Sequence, residues 1–420
     1  MTTATLQTPE ELARRNRRFG MFSVLCAALM AGVFATVPAG SQATFVLTAA
    51  RGELIELPNL VVGVTPAVLV MAAGVLAIAV VQFTRGFGSR TVLMAAVVAA
   101  LLVTAFLTWA AAGDSVSLIS LFRGTVRSAT PIALGAMCGV MCERAGVINI
   151  AIEGQLVAGA FAAAITSTVF ASAWIGLGGG IAAGMLIGGM LALLTIKFRA
   201  DQIVSGVVLW VLAVGTTSFL ATQVLGRDAA RFNTPVRFPT IEIRGLSQIP
   251  ILGPVLFRHT IIGYAMFIAV ALLTYALFQT RWGLRLRSVG EHPKAADTVG
   301  IKVLATRYKA VILGGAFAGI GGAWFTLDAT GQFSREMSGG RGFIALAAML
   351  VGRYSPVGAF GAALLFGFAS GLATSVQQLP VPIPSTLMLT APYLITILVV
   401  AGLVGRLRPP AATGKPYVKE

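Results

Sequence analysis

The chain has 420 residues, enough for two or three soluble domains, yet 57% are hydrophobic and only 11% are charged. An ordinary soluble domain carries about a quarter charged residues, so a chain of this composition could not cover its own surface in water. The net charge of +16 raises a nucleic-acid reading, but the basic residues fall in short loops between apolar runs, the positive-inside pattern of membrane proteins.

In chain order, the basic cluster Arg14-Arg15-Asn16-Arg17-Arg18 places a tail, residues 1–19, on the cytoplasmic side. No small-residue cleavage site follows the apolar run Met21–Val37, which reads as a retained first helix and not a signal peptide. Spans are predicted near 20–37, 60–83, 91–112, 118–141, 149–170, 174–196, 203–223, 260–280 and 309–327. Each is close to the roughly 20 residues that cross about 30 Å of hydrocarbon. Residues 20–116 form additional helices ahead of a core at 117–404. This topology puts Arg85, Arg90, Lys197, Arg199 and the loop 281–308 inside, and segment 224–259 outside. Four prolines and the β-branched Ile241 and Ile243 mark that outer loop as a structured cap, although its five arginines run against the charge bias. Beyond 328 the pattern is irregular: a short run Gly342–Tyr354, a stop and restart at Ser355-Pro356, runs at 357–377 and 385–404, and a cytoplasmic tail at 405–420. The expected fold is an all-α polytopic membrane protein of about 10–12 membrane helices, with broken helices near 146–159 and 339–356.

Cys138 and Cys142 lie one helical turn apart with no neighbouring His, which suits helix packing better than a metal site, and three cysteines give no disulfide framework. The chain also partly matches itself. Arg127–Val140 lies over Arg307–Ile320 with Arg, Ile, Gly and Ala in register, and Gly146–Ala151 resembles Gly342–Ala347. Short apolar matches arise by chance. The parity is more informative, because span 118–141 runs inward and span 309–327 outward. Similar units of opposite direction form an inverted repeat, whose interrupted helices carry the binding and gating elements of many transporters.

Polar groups at membrane depth are costly and so are functional candidates. Asn149 and Glu153, four apart, are expected on one face of one helix. Glu153 either lines a translocation path or is an interfacial carboxylate paired with Arg144. Arg341 either faces the path or snorkels to the outer interface. Arg123 and Arg127 read as interfacial. Gly176–Gly180 and Gly314–Gly322 suit close helix packing. No Gly-x-x-x-x-Gly-Lys-Ser/Thr loop is present, so the chain has no ATP site of that type. No catalytic or metal constellation lies within the spans, which disfavours a membrane enzyme.

The segment Arg281–Lys302 is more than a linker. Pro293 suits the first turn of a short helix, and Gly300 suits the turn that ends it. A short cytoplasmic helix with small exposed residues fits another protein's groove, or else lies on the membrane surface. Val289-Gly-Glu-His-Pro-Lys-Ala-Ala-Asp-Thr-Val-Gly-Ile-Lys302 resembles the coupling loop of permease subunits of ABC importers for branched-chain amino acids, simple sugars and nucleosides. Lys294-Ala-Ala-x-x-x-Gly300 is similar to their Glu-Ala-Ala-x-x-x-Gly motif, with Lys for Glu. Glu143–Gly154, Gly340–Ala348 and Arg408–Tyr417 resemble the nucleoside-type permeases, and the likeness covers residues 117–420.

The resemblance implies that Glu291, Pro293, Lys294, Ala295, Ala296 and Gly300 contact a separate ATPase, which binds the ATP and Mg, leaving this chain without a cofactor. It further implies a second permease subunit in a heterodimer, an extracytoplasmic binding lipoprotein, no nucleic-acid partner, and a bacterial cytoplasmic membrane with both termini inside. The implied cargo is a nucleoside; simple sugars or branched-chain amino acids are alternatives. A self-sufficient secondary transporter is the reading from another class.

Overall fold

The computed structural model describes residues 9–48, 57–379, 384, 390 and 408–418. These fall into two compact units, one running to Ser120 and taking in the described part of 374–388, the other spanning Leu121–Ala373 together with the C-terminal tail. The first turn of the helix Leu118–Arg144 and the last residues of the helix Pro356–Val376 thus belong to the first unit.

The first unit begins with α1 (Pro9–Leu29). The helix starts ahead of the basic cluster, not after it as predicted, because Pro9 and the acidic pair Glu10-Glu11 make a favourable first turn. Strands β1 (Gln42–Val46) and β2 (Leu60–Gly63) follow, then α2 (Val64–Thr84), α3 (Thr91–Ala110) and β3 (Ser115–Ser117). β1 pairs antiparallel with β2, Gln42 opposite Gly63, and parallel with β3, Thr44 opposite Ser115. This small sheet was not predicted, since three to five residues carry too little alternation to show beside apolar helices.

The second unit contains α4 (Leu118–Arg144), α5 (Ile152–Val169), α6 (Ala173–Ala192) and α7 (Gln202–Leu220). The loop after α7 is structured, as expected, by the short helices α8 (Ala229–Phe232) and α9 (Leu252–Leu256) and by β4 (Ile241–Glu242) paired with β5 (Arg258–His259). Then come α10 (Ile261–Gln279), α11 (Arg281–Glu291), α12 (Pro293–Thr298), α13 (Val303–Trp324), α14 (Arg341–Val351) and α15 (Pro356–Val376). Among the described residues, ten helices are long and apolar enough to cross a membrane. The predicted run at 385–404 lies outside the described residues, apart from Thr390.

Small residues let the central helices touch. Gly176, Gly180, Gly184 and Gly188 recur every fourth residue on the buried face of α6. A Cβ at Gly180 would lie 3.2 Å from the Gly319 carbonyl oxygen on α13, so the two backbones are in contact. α4 and α13 are antiparallel: Arg127 meets Asp328 at one end, and Gly314 sits against Cys138 and Cys142 towards the other. Their opposite directions agree with the parity of the self-match. Its second stretch fails, however, because Gly146–Ala151 is a non-helical break whereas Gly342–Ala347 is helical.

Candidate functional site

α4 stops at Arg144, and Gly146, with φ +85°, turns the chain back alongside the helix it has just left. The Asn149 side chain then reaches Cys138 Sγ at 3.2 Å, Cys142 Sγ at 3.5 Å and Gln155 Oε1 at 3.2 Å. Cys138 lies six residues before the end of α4, about 9 Å back along it, so α5 begins inside the span. Asn149 is therefore not on a helix face shared with Glu153. It precedes the helix, and its Oδ1 accepts from Ala151 N at 3.0 Å, a bond a short amide makes more readily in a turn than within a helix. All four polar groups of this cluster are buried, and Gln155 Nε2 has no partner among the described residues.

Glu153 stands in the first turn of α5 and is 4% exposed. Its Oε1 accepts from Ser338 Oγ at 2.5 Å and Gly340 N at 2.9 Å, and its Oε2 from Gly342 N at 2.5 Å. It thus caps α14, whose unpaired N–H groups and positive dipole end favour a carboxylate. The alternative reading of Glu153, a pairing with Arg144, does not occur: Arg144 Nε donates instead to the Tyr354 carbonyl at 2.8 Å. Only glycine fits at 342, since a Cβ there would meet the Glu153 backbone at 2.5 Å. Arg341 belongs to the same junction. It is half-buried, lies over the Phe325 ring at 5.5 Å and donates to Ser338 O at 3.3 Å.

α14 is a half-length helix. Its 11 residues cover about 16 Å, and it runs parallel to the last turns of α4, with Ala345 against Gly135 and Met349 against Gly139. The two interrupted elements singled out in the sequence, near 146–159 and 339–356, meet through Glu153.

At the other end of α4 and α13 lies a cleft of about 440 Å³ lined by Arg123, Arg127, Arg237, Arg258, His259 and Asp328, among others. Asp328 Oδ1 pairs with Arg127 at 3.1 Å, its Oδ2 accepts from the Thr260 hydroxyl, and its backbone oxygen accepts from Arg237 at 2.6 Å. Arg123 and Arg127, read from the sequence as interfacial, both line this cleft. Four arginines and one aspartate line the cleft, and Arg258 also pairs with Glu242 at 3.9 Å, so the positive groups still outnumber the carboxylates. His259 Nε2 bonds the Val255 carbonyl at 2.8 Å, and burial, with Arg123 and Arg127 adding to it, pushes its pKa below the ordinary imidazole value. Sequence reasoning missed Asp328. The signal was there: a carboxylate in the apolar stretch Phe325–Thr330.

The loop 281–308 folds as α11 and α12, with Pro293 in the first turn and Gly300 at φ +84°. Ala295 and Lys294 are exposed, but Ala296 is not. It is 3% exposed and packs with Val289, Val303 and Tyr417, which corrects the expectation that both alanines face outward. Glu291 Oε2 accepts from Ala411 N at 3.1 Å.

Residues 120–405 match the family described as the permease component of the branched-chain amino acid transport system. The chain is 42% identical over 316 residues to the guanosine ABC transporter permease protein NupQ of Bacillus subtilis, covering 73% of this chain and 99% of the relative. It is 39% identical over 299 residues to the nucleoside ABC transporter permease protein NupC of Lactococcus lactis, covering 69% and 94%. It is 28% identical over 264 residues to the glucose ABC transporter permease protein TsgB13 of Haloferax volcanii, covering 59% and 68%. No solved structure shows significant similarity to the chain. The half-length helix, the break beside it and the family match over two thirds of the sequence agree, and the chain belongs to the permease components of the branched-chain amino acid transport type.

Proposed function

We propose that this chain is the membrane-spanning subunit of an ATP-driven importer of nucleosides. The observation that carries the substrate class is the 42% and 39% identity to relatives named for guanosine and nucleosides, over nearly their whole length. In this reading a separate ATPase docks on α11–α12 and binds the ATP and Mg, a second permease subunit completes the path, and a binding lipoprotein delivers the solute. The positive cleft faces outward and both termini face the cytoplasm of a bacterial cell. The cleft and the α11–α12 loop lie at opposite ends of α4 and α13, as a through-membrane coupling device requires.

Asn149, Glu153 and Arg341 are assigned to the gate of the translocation path. Two helices beginning inside the span, with buried polar groups where they meet, form a joint that can open without unfolding a complete helix. Uncapping α14 exposes backbone donors and the Glu153 carboxylate at membrane depth, groups that can bond a polar solute's hydroxyl and ring-nitrogen atoms. The relative named for glucose favours a sugar as the second reading. Reconstitution in liposomes with the ATPase and binding protein tests both. Guanosine or adenosine should raise ATP hydrolysis and accumulate inside, whereas glucose and leucine should not; stimulation by glucose alone would overturn the nucleoside assignment.

A further inference from the structure

The end of α11 rests directly on the end of α4. A Cβ at Gly290 would collide with the Arg144 carbonyl oxygen and lie 3.3 Å from Gly146 N, so only glycine lets the two backbones touch. Gly290 stands just ahead of Pro293, which opens α12. Arg287 on the same helix lies over the Phe278 ring at 5.1 Å, and Arg144 lies over that ring at 5.7 Å. Close-packed protein is nearly incompressible, so a displacement of α11 towards α4 bears on Arg144.

From there the Arg144 side chain reaches the far end of α14. Its Nε donates to the Tyr354 carbonyl, in the corner that joins α14 to α15. That corner is stiff. Arg353 and Tyr354 have φ of +53° and +56°, a conformation that residues other than glycine hold only where their surroundings enforce it. Arg353 N donates to Leu350 O at 2.9 Å and Tyr354 N to Met349 O at 3.0 Å. A Cβ at Gly352 would collide with the Ala359 backbone, so α15 starts in contact with the end of α14. The Tyr354 carbonyl is therefore a handle on both helices. Glu153 holds the opposite end of α14. One stretch of chain, 144–153, thus grips the half-length helix at both ends, and Gly290 presses on the start of that stretch.

We propose that Arg144 is a positioning residue of the transport cycle. It takes the displacement of α11–α12 at its carbonyl and passes it, through its guanidinium, to the α14–α15 corner, so that α14 rocks about its Glu153 cap. The proposal rests on the ABC-permease reading, in which the ATPase moves α12. A guanidinium suits this use, because a charged donor strengthens the bond to a carbonyl and its rigid fork loses little freedom on bonding. Away from water, breaking that bond would leave the carbonyl unsatisfied, so the corner follows Arg144.

The test uses the full chain assembled with its ATPase and binding protein in liposomes. Arg144→Met keeps the reach of the side chain and removes its donors. ATPase binding and ATP hydrolysis should persist, while nucleoside accumulated per ATP hydrolysed falls about tenfold, the scale of a coupling free energy between linked sites. Arg144→Lys, whose ammonium can still donate to the carbonyl, should recover part of that ratio. Spin labels at the exposed positions Phe198, Val299 and Val357 report the motion itself. ATP with vanadate should change the 198–299 and 198–357 distances together in the parent, but only the 198–299 distance in Arg144→Met. Gly290→Ala parts the same two backbones from the α11 side, leaves Arg144 intact and should lower the ratio as well; it decides alone if Arg144→Met fails to assemble. An unchanged ratio in these variants, or hydrolysis, uptake and melting temperature falling in proportion, would mean that Arg144 only supports the fold, and the proposal is wrong. Uptake that continues with no ATPase subunit bound would overturn the ABC reading instead, whatever the variants do.

Discussion

The Glu153 carboxylate and the Gly342 amide meet at 2.5 Å, joining the first turn of α5 to the first turn of α14. Ser338 and Gly340 donate to the same carboxylate, so one buried side chain satisfies three groups at the start of a half-length helix. The contact is charge-assisted and removed from water, which makes it strong when complete and costly when partly broken.

Glu153→Gln is therefore expected to lower stability and uptake together. The amide retains one acceptor oxygen and turns an NH₂ toward backbone donors, a loss of about 1–3 kcal/mol. Thermal melting in detergent and nucleoside uptake measure the two effects. Unchanged melting with lost uptake would instead show that the carboxylate acts on solute alone.

Gly342→Ala should be more severe than its size suggests. The added methyl meets the Glu153 backbone, which cannot rotate away as a side chain can, so α5 and α14 must separate. Uptake should fall while insertion persists. Gly361→Ala, at an α15 position where a Cβ meets nothing within 4 Å, should be neutral.

The cleft at the opposite end carries a pH signature. His259 is held neutral by burial, with Arg123 and Arg127 opposing a positive ring and Asp328 favouring it. Its folded pKa lies below its unfolded one, so the unfolded chain binds the proton more readily. The contribution of the neutral ring is complete above the ordinary value of about 6.5 and is lost as pH falls through the lowered one. Melting temperature should drop on acidification, and His259→Gln should flatten that drop. An identical slope in the variant would assign it elsewhere.

Asp328→Asn should disturb the same cleft without a pH change, because Arg127 and Thr260 lose their shared anion while three further guanidinium groups remain. The expected cost is about 1–3 kcal/mol, below that of a fully buried pair because the Arg127 side chain is nearly half exposed. The variant should melt earlier, and Arg127→Ala on top of it should cost little further; full additivity would show that the two do not act as a pair.

The two alanines of α12 should separate cleanly. Ala296→Arg forces a guanidinium into the cluster of Val289, Val303 and Tyr417, at a cost of about 2–4 kcal/mol, and should loosen the loop even without a partner. Limited proteolysis of the permease alone should then cut near α12, whereas Ala295→Arg should resist as the parent does.

The class, the ten described spans to within a few residues at most ends, the half-length element after Gly340 and the turn residues Pro293 and Gly300 were legible from the residues alone, because apolar length, loop charge and turn chemistry are local properties. Contacts at long separation were decided by tertiary structure. Glu153 and Gly342 are bonded across the span, Arg127 meets Asp328, and Tyr417 covers Ala296, pairings that no period or motif encodes. A carboxylate near Arg144 reads as its partner by proximity in the chain, but the break at Gly146 carries Glu153 back into the span, away from Arg144. There the nearest uncompensated donors belong to another helix's N-terminus, and in a medium without water those donors must be satisfied by whatever acceptor the fold delivers.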